Sequence, residues 1–247
     1  MTFVFFTKAV LAVLIEHGIA PIVTDRPDFT ESSVVVPKGS IQIESGLTWT
    51  EESRRSTNLS LPEVLIRFGM TERFELRLGL PNQNWINSDG NPQLQGWDDL
   101  YVGFKYQLGS TSDGTDFAII PAAYFPVGQT GIRSEVVSPE IKFCWAREIC
   151  GGNSLSGMFY FYLIEIDGRQ VTPLQHTISL GLPVSENVGM FIEHILDMSN
   201  GEQPSQLLHL GFTFQPRPTV QFDFHFGFGL TSNAPDYFFA AGYSIRL

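Results

Sequence analysis

Residues 219–230 read TVQFDFHFGFGL. In an extended chain, Val220, Phe222, Phe224, Phe226 and Phe228 fall on one face. Gln221, Asp223, His225, Gly227 and Gly229 fall on the other. A period of two is the mark of a β-strand whose faces meet different surroundings. The same alternation places Phe74, Leu76, Leu78 and Leu80 opposite Arg73, Glu75, Arg77 and Gly79. It places Leu100, Val102, Phe104, Tyr106 and Leu108 opposite Tyr101, Gly103, Lys105 and Gln107. Ile41, Ile43, Leu47 and Trp49 likewise stand opposite Gln42, Glu44, Thr48 and Thr50.

Extended along the chain, the pattern predicts about twelve strands. They fall near 39–51, 58–69, 73–83, 97–108, 115–127, 136–147, 155–165, 171–184, 187–197, 205–215, 218–229 and 237–247. No helical stripe competes after residue 20, and no linker divides the chain. Very short connections at 71–72, 185–186 and 215–218 lie at one end of the strands. Longer polar connections at 52–57, 84–96, 128–134, 199–204 and 231–236 lie at the other, although 109–114 and 148–153 lengthen two of the inner turns. An even strand number with short turns on one side and long loops on the other describes an outer-membrane barrel. The expected fold is all-β: one antiparallel up-and-down transmembrane β-barrel.

Alternation alone does not say which face is wet. A soluble sheet turns its apolar face to a core, a membrane barrel to lipid. The chain of 247 residues has 21 Phe, 7 Tyr and 4 Trp, yet only 17% charged residues, against roughly 25% in ordinary soluble domains. Only four Lys are present, and the polar faces are rich in Gly, Ser and Thr. A soluble surface normally carries far more charge. A water-facing lumen and a Phe-rich lipid face fit better. The alternative is a soluble all-β ligand-binding barrel or sandwich. With 15 Lys+Arg against 26 Asp+Glu, the net charge of -11 speaks against nucleic acid as a partner. Trp49, Trp97, Tyr101, Trp145 and Tyr237 lie near strand ends, where interfacial aromatics belong.

Residues 1–20, with Lys8 before an apolar run and Gly18 and Ala20 near a cleavage point, read as an atypical signal peptide. Residues 21–38 would follow as a periplasmic segment, and 39–247 as the barrel. Cys144 and Cys150 fit no metal or redox spacing. In an oxidising compartment they are a candidate disulfide, left open because one sits in a strand and the other in a turn. The terminal strand, Gly242 to Leu247, resembles the signal that outer-membrane barrels present to their assembly machinery, with Leu in place of the usual Phe.

The stretch TDRPDFTES at 24–32, followed by Val36-Pro37-x-Gly39 and Gln42-Ile43-Glu44-Ser45-Gly46, resembles the outer-membrane transporter family linked with the meta-pathway of phenol degradation. Glu63-Val64-Leu65-Ile66-Arg67-Phe68-Gly69, Glu75 to Pro81, Trp97-Asp98-Asp99-Leu100, Gly103-x-Lys105-Tyr106, Pro126-Val127-Gly128, Pro139-Glu140 and Ala234-Pro235-Asp236-Tyr237 are similar too. The resemblance spans roughly 24–247. It implies a signal-bearing barrel in the outer membrane that passes small solutes, aromatic ones among them.

If the apolar side chains face lipid, the lumen receives Glu44, Glu63, Arg67, Glu75, Arg77, Lys105, Glu140, Lys142, Glu193, Asp223, His225 and Arg246. A cation on the lipid face near the midplane would cost about 2–4 kcal/mol. These charges either select solutes or form an ion-pair network that plugs the lumen and braces the wall as a structural outer-membrane protein. Asp25, Arg26 and Asp28 precede the first strand and are candidates for a plug; an inner-side tether is the other reading. No catalytic residue, metal or cofactor is expected. The string Asp197-Met198-Ser199 has Asp where a barrel lipid hydrolase needs His, and it reads as a turn.

Overall fold

The computed structural model describes residues 20–52, 56–166, 169–198 and 203–247. It consists of β1 (Ile41–Glu52), β2 (Ser56–Leu61), β3 (Leu65–Thr71), β4 (Phe74–Gly79), β5 (Gln83–Ser88), β6 (Leu94–Trp97), β7 (Leu100–Ser110), β8 (Thr115–Phe125) and β9 (Ser138–Glu148). Then follow β10 (Ser154–Tyr162), β11 (Ile164–Ile166), β12 (Arg169–Val171), β13 (Leu174–Pro183), β14 (Val188–Met198), β15 (Ser205–Arg217), β16 (Val220–Gly229) and β17 (Tyr237–Arg246). All pairings are antiparallel. β17 returns to β1 in the register Gln42↔Arg246, closing the wall. Closure removes the open edges that a sheet cannot leave unpaired in lipid.

Seventeen segments make twelve barrel strands, because five of the segments are continuations. β2 and β3 together form the second strand, β4 and β5 the third, β6 and β7 the fourth. The sequence pattern predicts unbroken strands at 58–69, 73–83 and 97–108. The breaks fall at 62–64, 80–82 and 98–99. Pro62 and Pro81 have no N–H to give to a ladder, so pairing lapses beside them. The wall is carried across by Leu80 N–H to the Val64 carbonyl and Asp98 N–H to the Asn82 carbonyl, both 2.9 Å. The expected loop over 84–96 is therefore a correction: β5 and β6 form a paired hairpin there, and the true tip is 89–93. On the same rim, β11 and β12 pair as a short two-stranded extension above β10 and β13.

The faces sort as the alternation requires. On β16, Phe222 and Phe224 are each 50% exposed, whereas Gln221, Asp223 and His225 are buried. Glu44, Arg67, Glu75, Lys105 and Glu193 are 0% exposed. Large apolar groups coat the outside, and charges fill the inside. Trp49 packs on Tyr237 at 5.7 Å and lies 6.4 Å from Phe239, on the outer face. Tyr101 is a correction. Although near a strand end, it shares parity with Lys105 on β7, and it is buried in the lumen at 7% exposure.

The cysteines do not pair: Cys144 is buried, Cys150 exposed, and both are free. From Cys144, four more residues of β9 run about 14 Å before the turn holding Cys150 begins. That exceeds the ~7 Å separation a disulfide spans. The denatured, unreduced protein should titrate two thiols, with Cys150 alone labelled in the folded state. Phe224→Arg should lower stability by about 2–4 kcal/mol, as expected for a cation on a lipid face. Urea unfolding in vesicles, followed by band shift on unheated gels, measures this.

Candidate functional site

Residues 20–40 lie inside the wall. Arg246 donates to the carbonyls of Ala20 and Pro21, and Ile22 N–H reaches the Pro218 carbonyl at 2.6 Å. The chain leaves where Gly39 N–H meets the Gly69 carbonyl at 2.7 Å. Both ends therefore sit at the rim of short turns, and 20–40 is a loop inserted from that rim. At the exit only glycine fits at 69, since a Cβ there would lie 2.2 Å from the Pro37 carbonyl oxygen.

Asp25 is the hub of the inserted loop. Its carboxylate meets Lys105 Nζ at 2.8 Å, Arg77 Nη1 at 2.5 Å and Arg67 Nη1 at 3.1 Å. It also accepts Ser32 N–H at 2.8 Å, which folds the loop back on itself. Glu44 accepts the backbone N–H of Asp25 and of Arg26, each at 3.0 Å. Glu75 takes Arg67 in a two-point grip at 2.9 and 3.0 Å and accepts Val36 N–H at 2.7 Å. Glu31 bridges Arg77 at 2.5 Å and Lys142 at 2.7 Å. Lys142 also reaches Glu140 at 3.3 Å, and Tyr160 donates to Glu140 at 2.5 Å.

Arg26 pairs with Glu63 at 2.9 Å and Asp223 at 3.2 Å. Its guanidinium sits against the closing seam at Gly46 and Gly242, which face each other in register. A Cβ at either position would come within 2.5 Å of it. Arg26 Nη2 is also 3.3 Å from His225 Nε2. Arginine can only donate, so Nε2 accepts and the His225 proton sits on Nδ1. That proton points to His209 Nε2 at 2.9 Å, and His209 Nδ1 then donates to Glu193 at 2.7 Å. Glu193 accepts three further hydrogen bonds from the loop tip: Phe29 N–H at 2.9 Å, Thr30 N–H at 2.8 Å and Thr30 Oγ1 at 2.6 Å. Thr30 Oγ1 lies 2.6 Å from Thr177 Oγ1, and Asp28 lies beside Ser179 and Glu193.

All twelve wall residues named from the sequence project inward, and all three loop residues meet them. Glu63 does so from the break between β2 and β3 rather than from a strand. Glu31, Thr177 and His209 were not anticipated. Glu31 stands in the same TDRPDFTES stretch as Asp25. His209 has the parity opposite Phe212 and Phe214 on β15, so counting in twos reaches it. Two cavities flank the tip. One of about 330 Å³ on the inner side is walled by Ser154, Ser179, Thr213 and Gln215; one of about 200 Å³ on the outer side is walled by Tyr101, Tyr124, Asp99 and Lys142. Among the described residues no cluster of three or more His, Cys, Asp or Glu is arranged to hold a metal ion.

A closed twelve-stranded wall, apolar outside and ionic inside, defines a transmembrane β-barrel of the outer-membrane type. The chain belongs to the family described as "Putative MetA-pathway of phenol degradation", whose model matches residues 24–247. Its fold is similar to that of an outer membrane channel from Pseudomonas putida F1, with TM-score 0.66 and 9% identity, covering 90% of this chain and 99% of that one. It is also similar to the NanC porin (TM-score 0.59, 7% identity, 84% of this chain and 100% of that one). The KdgM porin in complex with disordered oligogalacturonate matches at TM-score 0.52 and 10% identity, covering 83% of this chain and 98% of that one. No curated protein matches the sequence.

Removing one partner from a buried ionic cluster costs about 3–5 kcal/mol, because the remaining charges lose their counter-charge. Asp25→Ala takes one counter-charge from Lys105, Arg77 and Arg67 at once. The variant should keep a folded barrel but expose 20–40 to protease in detergent, where the parent is protected; mass mapping of the cuts reads this.

Proposed function

We propose that this chain is an outer-membrane channel for small solutes whose lumen is closed from the inner side by its own segment 20–40. The observation that carries this reading is the loop tip at mid-lumen, tied to both sides of the wall by Glu31, Thr30 and Asp25. Twelve strands fall between the filled interior of about 8 and the open pore of 16–18. A barrel of this size has room for a conduit once the loop yields.

The protein acts by passage rather than by bond-making chemistry. Asp197 accepts hydrogen bonds from Tyr162 Oη at 3.1 Å and Gln175 Nε2 at 3.3 Å, a structural role at the end of β14. Ser199 lies outside the described residues, as does almost all of the candidate signal at 1–20. The protein resides in the outer membrane, in contact with its lipid. The β17 strand through Leu247, already the closing strand, is the segment presented to the assembly machinery.

Planar-bilayer recording tests the reading. The intact protein should give small, infrequent conductance steps, and deletion of residues 24–32 should enlarge them severalfold. Equal conductance in both forms would mean the loop does not close the lumen, and silence in both, with insertion verified, would remove the channel itself.

A further inference from the structure

Three wall cations take their closest counter-charges from the inserted loop rather than from the wall. Arg67 shows the contrast: besides Asp25, the wall itself supplies it with Glu44 at 2.9 Å and with both oxygens of Glu75. Lys105 differs. Its close partners are the loop's Asp25 at 2.8 Å and Ser32 Oγ at 3.1 Å, whereas wall Glu75 stands at 4.0 Å. Arg77 shares Nη1 between Asp25 and Glu75 and gives Nη2 to the loop's Glu31. Lys142 is closer to Glu31, at 2.7 Å, than to wall Glu140, at 3.3 Å.

The loop thus lays two carboxylates on Arg77, Lys105 and Lys142, and one guanidinium, that of Arg77, holds both. Charge-assisted contacts of this kind are how a protein grips a bound carboxylate. Arg67, Arg77, Lys105 and Lys142 are met by three wall acids, Glu44, Glu75 and Glu140, so this part of the wall keeps a positive excess once the loop is gone. The place is also reached from outside. Glu31, Arg77 and Lys142 line the outer cavity of about 200 Å³, together with Tyr101 and Tyr124. The side chains of Glu31 and Lys142 are each 12% exposed, so their ion pair is open to a solute in that cavity.

We propose that Arg77, Lys105 and Lys142 form a binding site for a small dicarboxylate anion, and that Glu31 and Asp25 of the loop are its tethered occupants. A solute in the outer cavity first takes the place of Glu31 on Lys142 and Arg77. Its second carboxylate then takes the place of Asp25 on Arg77 and Lys105, and the loop loses its hub. Asp98 and Asp99 stand on the same cavity wall, each accepting a backbone N–H, from Asn82 and Ser134. Their charge opposes the addition of an anion but not an exchange, in which two carboxylates enter as two leave. The cavity is below the about 300–1,000 Å³ of drug-sized pockets, which keeps the solute small. The inference deepens the channel reading and rests on it, because it names the class of solute that displaces the plug.

Calorimetric titration of the full-length protein in detergent tests it, with succinate as probe and succinamide as its uncharged counterpart. Succinate should bind, with succinamide weaker by about tenfold or more, the worth of a charge-assisted hydrogen bond. Glu31→Gln removes the charge of the tethered competitor, so succinate should bind that variant about tenfold tighter or better. A misfolded barrel does not gain affinity, so this result is specific to competition. Lys142→Gln should weaken binding by a similar factor, with the unheated-gel shift reporting the fold. Bound succinate should also expose 20–40 to protease. Absence of succinate binding to both parent and Glu31→Gln, equal affinity for succinamide, unchanged or weaker binding in Glu31→Gln, or binding that leaves the loop protected would overturn the proposal. Conductance of the same preparations separates the two ideas: conduction after deletion of 24–32 without succinate binding in any form removes the site alone, and binding with silence in every form keeps the site and removes the channel.

Discussion

A charged side chain cannot face hydrocarbon without a cost of several kcal/mol, and that constraint arranges this molecule. Away from its ends, every strand must send its Arg, Lys, Glu and Asp to the same side, so a wall of twelve strands gathers them in one narrow lumen. A lumen of that width offers little water to hydrate them. Charges that lose hydration need partners with good geometry. The inserted loop supplies them: Asp25 alone faces three wall cations, and Arg26 two wall acids. The loop is thus a counter-charge for the wall as much as an obstruction of the pore.

The two sides of the loop are held differently. Toward β3, β4 and β7 it is fixed by ion pairs that are nearly fully buried, and toward β1 by backbone N–H groups donating to Glu44. Toward β13 and β14 it is fixed by hydrogen bonds to Glu193 and Thr177. Glu193 is joined through His209 and His225 to Arg26, so the two sides share a continuous chain of donors and acceptors. The hydrogen bonds to the Glu193 carboxylate are charge-assisted, so the β13–β14 side is held firmly as well.

Most of the barrel was legible because period two is a strong signal when one face is lipid. The parity of Phe222 and Phe224 places Asp223 and His225 inside with no further knowledge. The same counting would have brought in His209, and would have moved Tyr101 inward had its place near a strand end not outweighed its parity. The breaks at Pro62 and Pro81 were hidden because side-chain alternation runs on across them; only the missing N–H marks them. The loop was the least legible part. A segment without periodicity gives no parity, so Asp25 and Arg26 could be recognised as charges needing partners, but tether and plug could not be told apart. Glu31 is illegible in the sequence for that reason. What identifies it is the position of Arg77 and Lys142, two strands far apart in sequence brought together by closure of the wall.

Cross-linking gives the most direct test that the loop tip sits against the far wall. Thr30→Cys with Thr177→Cys, in a background with Cys144 and Cys150 replaced by Ser, puts two thiols where the parent hydroxyl oxygens are 2.6 Å apart. The account predicts near-complete disulfide formation under mild oxidant, with a pore that stays shut until reductant is added. No cross-link in the correctly inserted barrel, or a locked protein that conducts like the reduced one, would contradict it.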